Sequence, residues 1–332
     1  MTNNLITRRS FTQAVVAGPA AATVGLSPRL ARAQQSYPNR PIRLILAFGA
    51  GGVADITARI AADKLGEKLG QRIVVENQPG PGGIAAARSV TSAPADGYTL
   101  GLVTNGTAIS VGAYNALPFD PVKEFAPIST LGTFDLVFGT NVQTSFKTLG
   151  DFVKAAREQP GKLNVGTINV GGTQNLAAEL FKSMAGLDFQ IIPYRGTPEV
   201  IIALLRNDVQ LMVDFYAPLK GGLSDGELLP LATGGARRTA YLPNVPAIAE
   251  SVAGYEATAW NGIFARVGTA PEILSLLNKA MREVLAMPEV QSKYVELGVE
   301  AKASSAEELA ARIQAEITKW AAVIEKAGIP KQ

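Results

Sequence analysis

The stretch "LILAFGAGGVADITARIAADKL", residues 44–65, decides the fold: an apolar run, a glycine-rich turn and a helical pattern follow without a break. The run 42–48, "IRLILAF", predicts a buried strand. In the pattern 55–70, Ile56, Ile60 and Leu65 with intervening alanines form an apolar stripe, and Gly70 supplies a stop. The turn Gly49-Ala50-Gly51-Gly52-Val53-Ala54 satisfies the dinucleotide pattern G-x-G-x-x-G/A. Glu76 closes the next apolar run, where a ribose-binding acid would stand. Glycine lets a backbone approach a ligand closely, and a helix start offers unpaired N–H groups to an anion. That physics holds for a pyrophosphate or for any other anion.

Outward from this unit the same order repeats. "RIVVENQ" is a second strand, then "PGPGG" and the helix "IAAARSVTSA"; "DGYTLGLVT" (96–104) is a third strand, with "NGTAIS" directly after it. "APISTLGTFDLVFGTN" (126–141) reads as strand material leading away from this first unit. "TLGDFVKAAREQPGK" (148–162) is a helix stopped by Pro160-Gly161, and "LNVGTINVGGTQNLAAELFKSMAG" is a strand, a polar glycine turn and a helix. "FQIIPYRGT" and "EVIIALLRNDVQLMVDFY" repeat the order, "LLPLATGG" is a short strand, and "WNGIFARV" (260–267) leads back. Two helices close the pattern; in the last, Leu309, Ile313, Ile317 and Trp320 share one face. Alternation of this kind predicts an α/β fold with largely parallel strands, and 332 residues suffice for two cores.

Residues 1–33 are read as a signal peptide. "MTNNLITRRSFTQAVVAGPAAATVGLSPRLARAQQ" carries Arg8-Arg9, a weakly apolar stretch and Ala31-Arg32-Ala33, with cleavage expected after Ala33. The paired arginine with Phe11 suggests the twin-arginine route, although Thr12-Gln13 departs from its usual Leu-Lys. An uncleaved anchor fits less well, since Gly18, Pro19, Gly25 and Pro28 interrupt the stretch. The segment holds Arg8, Arg9, Arg29 and Arg32 and no acid. Taking those four from 31 basic residues leaves 27 against 28 acidic ones, so the basic balance belongs to the signal and gives no support to nucleic-acid binding.

The chain contains neither cysteine nor histidine. Disulfides, thiol nucleophiles and thiolate metal sites are thereby excluded, and the usual general base and commonest metal ligand are missing. Carboxylate-only catalysis remains open. A dinucleotide enzyme exported without His or Cys has little chemistry left to perform, and no Gly-Lys-Ser/Thr follows any turn to make a P-loop.

Four turns, 49–52, 80–83, 105–107 and 171–173, follow apolar runs, and in an open parallel sheet such turns gather at the carboxyl edge. Each alone is explained by a tight strand-to-helix connection. Together they predict an anion site of amides and hydroxyls. Thr104, Asn105 and Thr107 supply neutral donors after the third strand. Thr167, Asn169, Thr173, Gln174 and Asn175 exceed what one helix cap requires. Asp55 is expected to be an N-cap or first-turn acid of the first helix rather than to meet a ligand. Arg195 is either a carboxylate partner or a surface arginine. Asp214, ending the apolar "QLMVD", either fixes Arg195, receives a ligand amine or hydroxyl, or caps a turn. Tyr114, Trp260 and Phe264 are expected to pack the core or the lobes.

These residues carry a family likeness. "YPNRPIRLILAFGAGGVADITARIAADKLGEKLGQRIVVENQPGPGGIAAARSV", "APADGYTLGLVTNGT", "LPFDPVKEFAPIS", "PGKLNVGTINVGGTQNLAAELF" and "IIPYRGTPEVIIALLRNDVQLMVD" resemble the Bug family of solute-binding receptors that serve tripartite tricarboxylate transporters. The likeness continues through "LPLATGGARRTAYLPNVPAIAESVAGYEATAWNGIFARVGTAPEIL" and "AEITKWAAVIEKAGI", over essentially the whole mature chain. It implies an α/β fold of the two-lobe, type II periplasmic-binding-protein kind, with a ligand cleft between the lobes. Lobe 1 is then 34–138 with 256–332, and lobe 2 is 139–255.

The resemblance further implies that amides and waters of Phe48, Gly49, Ala50, Gly51 and Gly52, and of Thr104, Asn105, Gly106, Thr107 and Ala108, hold a carboxylate. The second lobe adds Thr167, Asn169, Gly172, Thr173, Gln174 and Asn175, with Tyr194, Arg195, Gly196 and Asp214 contributing to ligand choice. Two departures stand out: the family's P-F-x-P-G-G reads Ala47-Phe48-Gly49-Ala50-Gly51-Gly52 here, and Gln78 replaces its usual Arg. The expected protein is a periplasmic, monomeric, non-enzymatic receptor without metal or cofactor. Its partners are a small organic acid and membrane permease subunits. A periplasmic sensor feeding a signalling partner is the alternative, followed by a carboxylate-dependent enzyme using Asp214 or Asp55 as its acid.

Overall fold

Both faces of the first strand, β1 (Ile42–Leu46), are covered: Ile42, Leu44 and Leu46 enter one apolar cluster and Ile45 another. This is the burial expected of a strand flanked by helices on both sides of a sheet. The computed structural model describes residues 37–332, so the expected signal peptide and its expected Ala33 junction lie outside the described residues. After β1 come α1 (Val53–Leu69), β2 (Ile73–Asn77), α2 (Ile84–Thr91), β3 (Thr99–Thr104) and α3 (Asn105–Ala113). A 17-residue strand, β4 (Phe125–Asn141), leads to α4 (Leu149–Glu158), β5 (Asn164–Ile168), α5 (Thr173–Ala185), β6 (Gln190–Tyr194), α6 (Thr197–Leu205), β7 (Leu211–Phe215), α7 (Tyr216–Ser224) and β8 (Leu228–Thr233). The chain returns through β9 (Thr258–Arg266), α8 (Pro271–Leu285), α9 (Pro288–Glu296), β10 (Glu300–Ala301) and α10 (Ala306–Lys326).

The strand order is β2-β1-β3-β9-β4-β7-β5-β6, with β8 and β10 also paired to β4. Two parallel triplets, β2-β1-β3 and β7-β5-β6, match the expected pattern. The strands between them do not: β9 is antiparallel to both β3 and β4, and β4 is antiparallel to β7 and β8. A strand that leaves one half of the molecule and a strand that re-enters it lie side by side, so they run in opposite directions. The architecture is the type II, two-lobe periplasmic-binding-protein fold.

β4 serves both halves of the sheet. Its residues 125–135 pair with β9, and Leu136–Asn141 pair with β7 and β8. Along β4, Leu136 and Phe138 enter one cluster with Phe152, Phe181 and Trp320, while Val137 enters another with Leu204 and Met212. Helix α10 is placed by its own sequence. Ser305 Oγ accepts from Glu308 N at 3.1 Å while Ser305 N donates to Glu308 Oε2 at 2.8 Å, a reciprocal cap. Leu309, Ile313 and Trp320 are buried on the expected face, with Ile317 packed at its edge. Trp320 joins the cluster that holds Ala108 and Ile109 of α3 and Leu176 of α5, so one helix backs both sides of the cleft described next. No helix among the described residues is long and apolar enough to cross a membrane.

Candidate functional site

The starts of α3 and α5 face a common cleft of about 660 Å³. From the expected site residues it brings together Phe48, Thr104, Gly106, Thr107, Asn169, Gly172 and Thr173. The second glycine turn joins them through Gly80, Gly82 and Gly83. Gly82 sits at φ +61°, and a Cβ there would lie 3.2 Å from the Tyr114 ring, so no other residue fits without displacing that ring.

The first turn lies beside Phe48 at the surface. Gly51 adopts φ +88° and its N–H donates to Asp55 Oδ2 at 2.9 Å. Nothing lies within 4 Å of a Cβ built on Gly49, Gly51 or Gly52, so packing does not explain their lack of side chains. Together with Ala50 they are exposed and leave the amides at the start of α1 unobstructed. Asp55 is 3% exposed and is a first-turn acid of α1, whose N-cap is Gly52. Arg59 Nε at 3.0 Å, Asn77 Nδ2 at 2.8 Å and Gly51 N all donate to it. Burial is the largest single influence and opposes its ionisation. The donors together outweigh burial and hold the carboxyl at about 2.

At the third turn, Thr104 N donates to Thr107 Oγ1 at 3.2 Å, and Asn105 Nδ2 donates across the cleft base to Thr173 Oγ1 at 2.7 Å. Both threonine oxygens are occupied as acceptors, which leaves both O–H groups as donors. Asn169 stands at φ +43°, a left-handed conformation asparagine tolerates; its N–H donates to Tyr194 O and its carbonyl accepts from Gly172 N.

The other expected residues stand behind or beside this cleft. Asn105 is buried with its amide on Thr173, and Ala108 is core. Thr167 Oγ1 accepts from Asn175 Nδ2, while Asn175 Oδ1 accepts from Gly171 N at 3.0 Å, which braces the fourth turn from inside. Asp214 neither fixes Arg195 nor lines the cleft. At 1% exposure it accepts from Gln174 Nε2 at 2.9 Å, Thr197 Oγ1 at 2.5 Å and its neighbour's Phe215 N at 2.8 Å. Burial raises its carboxyl above the usual range against these donors. Tyr194 ends the outermost strand β6, Arg195 and Gly196 follow it, and none of the three lines the cleft. Arg195 is an exposed surface arginine, and Gly196 caps α6.

Tyr114 overturns its expected packing role by lining the cleft, whereas Trp260 and Phe264 are core. Its signal was legible in spacing: Thr107, Ser110 and Tyr114 recur at three and four residues, the last just past the end of α3. Val170 and the segment Ile329–Gln332 after α10 also line the cleft. No periodicity announces that segment, because the course of α10 alone delivers it. Among the described residues no Asp or Glu lines the cleft, and Lys331 is its one charged side chain. No group of three or more His, Cys, Asp or Glu that could hold a metal occurs among them.

The fold and a cleft between two α/β halves define a solute-binding protein of the type II periplasmic class. Residues 57–329 match the model of the tripartite tricarboxylate transporter family receptor. A Cupriavidus necator protein of the UPF0065 group is 32% identical over 327 residues, 98% of this chain and 99% of that one. An R. palustris structure solved with adipate is similar at 32% identity and TM-score 0.74, covering 89% of this chain and 100% of that one. MatC from Rhodopseudomonas palustris, solved with bound malate, is similar at 28% identity and TM-score 0.70, covering 87% and 100%. The chain belongs to the family of tripartite tricarboxylate transporter receptors, the Bug receptors of the sequence resemblance.

Proposed function

We propose that the protein is exported through residues 1–33 and captures a small organic carboxylate in the cleft for delivery to a tripartite permease. One observation carries the ligand class: the cleft wall offers hydroxyls, amides and two helix starts, with no Asp or Glu side chain among its described residues. Each helix start favours an anion by about 0.3–1 kcal/mol, and hydrogen bonds to a charged group contribute about 1.5–3 kcal/mol each. The ligand contacts are the amides near Phe48–Gly52, the Thr104–Thr107 turn with its Thr107 hydroxyl, and Asn169–Thr173. Gln174, Asn175, Thr167 and Asp214 hold those groups in place. Adipate and malate in two relatives favour a short carboxylic acid over a bulky one.

The lobes are 34–138 with 256–332, and 139–255. The passage of β4 from β9 to β7 and β8 near residues 135–137 supports a division there. Closure of the lobes buries the ligand, and the permease reads the closed form. The protein performs no chemistry on its ligand. The two acids an enzyme would use are a carboxylate held ionised by three donors and a buried one turned away from the cleft.

The test is a thermal-shift screen of residues 34–332 with mono- and dicarboxylates, amino acids and NAD(H), followed by calorimetry. A ligand at a hundred times its Kd adds about 2.7 kcal/mol of stability. Carboxylate hits recovered unchanged support the receptor; a response to NAD(H) with none to carboxylates, or turnover of the ligand, overturns it.

A further inference from the structure

We propose that Lys331 reads the far end of the ligand: it pairs with a second anionic group and makes this receptor selective for dicarboxylates over monocarboxylates of equal length. The inference rests on the carboxylate-receptor reading and names a residue for its specificity.

Three observations carry it. First, among the described residues Lys331 is the only charged side chain lining the cleft, and its ammonium makes no ion pair or hydrogen bond with any of them. Second, its backbone is held on both sides. Ile329 N donates to Ile324 O at 3.1 Å, and Ile329 packs against the cluster containing Trp320. Gln332 N donates to Ala113 O at 2.8 Å while Asn115 N donates to Gln332 O at 2.9 Å. The lysine therefore hangs from a fixed segment, and its aim costs little ordering.

Third, that segment is anchored at the opposite end of α3 from the carboxylate-binding turn. The nine residues of α3 put roughly 12 Å between its two ends at 1.5 Å per residue. Lys331 lines the cleft that these ends share. Phe48, 38% exposed, and Val170, 57% exposed, line the same cleft. Apolar groups exposed there fit methylenes, not a third charge. The cleft thus combines the donors of the Thr104–Thr107 turn, exposed apolar groups and one ammonium.

The test compares acids that differ in one terminal carboxylate: succinate with butyrate, glutarate with valerate, adipate with hexanoate. Titration calorimetry is run on wild type, Lys331→Gln and Lys331→Arg, with melting temperatures as the folding control. Wild type is expected to prefer one dicarboxylate over its partner. Lys331→Gln is expected to lose about tenfold or more in that dicarboxylate's affinity, with monocarboxylate binding within twofold and Lys331→Arg restoring most of the difference. Equal losses for both members of a pair, no loss for either, or a wild type preferring the monocarboxylates would overturn the role of Lys331 alone. Absence of all carboxylate binding in wild type would overturn the receptor reading and this inference with it.

Discussion

Asn105 Nδ2 donates to Thr173 Oγ1 at 2.7 Å, joining the first residue of α3 to the first residue of α5 across 68 positions of sequence. One bond thus connects the two helix starts that face the cleft. A double-mutant cycle of Asn105→Ala and Thr173→Val should give a coupling of about 0.5–1.5 kcal/mol in urea unfolding. Ligand release, followed by stopped-flow fluorescence, should be faster in Asn105→Ala. Independent effects of the two substitutions would show that the contact does not hold the halves together.

Thr107 has two tasks on one side chain: its oxygen accepts from Thr104 N, and its hydrogen is free for a ligand. Thr107→Val keeps the shape and removes both. Loss of the cap should cost about 1 kcal/mol of stability, and carboxylate affinity should fall about tenfold or more. A melting shift with unchanged affinity, read by calorimetry, would reduce Thr107 to a cap.

Acid should loosen the first turn. Asp55 is held at about 2, below the usual carboxylate value, so its stabilisation is fully present above about pH 4 and is lost as pH falls through 2. The shift corresponds to roughly 2–3 kcal/mol. Asp55→Asn should remove that part of the acid dependence and expose Gly51 N to hydrogen exchange. Parallel pH profiles for variant and wild type would contradict it.

Asp135 should act with the opposite sign. Burial, then repulsion by Glu300 and Glu256, raises its carboxyl to about 7 against the attraction of Arg237 and Arg312. A raised acid favours the folded state below about pH 4 and loses that contribution as pH rises through 7. Asp135→Asn should match wild type at pH 4 and exceed its urea midpoint at pH 8. An equal difference at both values would place the effect elsewhere.

The sequence made the β1–turn–α1 unit and the alternation of largely parallel strands with helices legible, because buried strands and striped helices leave periodic patterns. It did not reveal which strands cross. β4 carries register shifts near Pro127, Thr130 and Phe138, and pairing partners leave no trace in a single strand's composition. α7, "YAPLKGGLS", contains Pro218 and paired glycines and reads as a loop. At the site, Thr173 was readable as a wall residue, but Gln174 and Asn175 were not readable as internal braces. Each step of about 100° around a helix turns the next residue to another face, and only the packed helix shows which face is inward. Lys331 owes its place entirely to where α10 ends.

Because β4 is built into both halves of the sheet, neither half has a complete edge without the other. Melting should accordingly be one cooperative event, with a calorimetric enthalpy equal to the van't Hoff value rather than two overlapping transitions. The shared strand converts a contact made at the cleft into resistance to unfolding along the whole molecule.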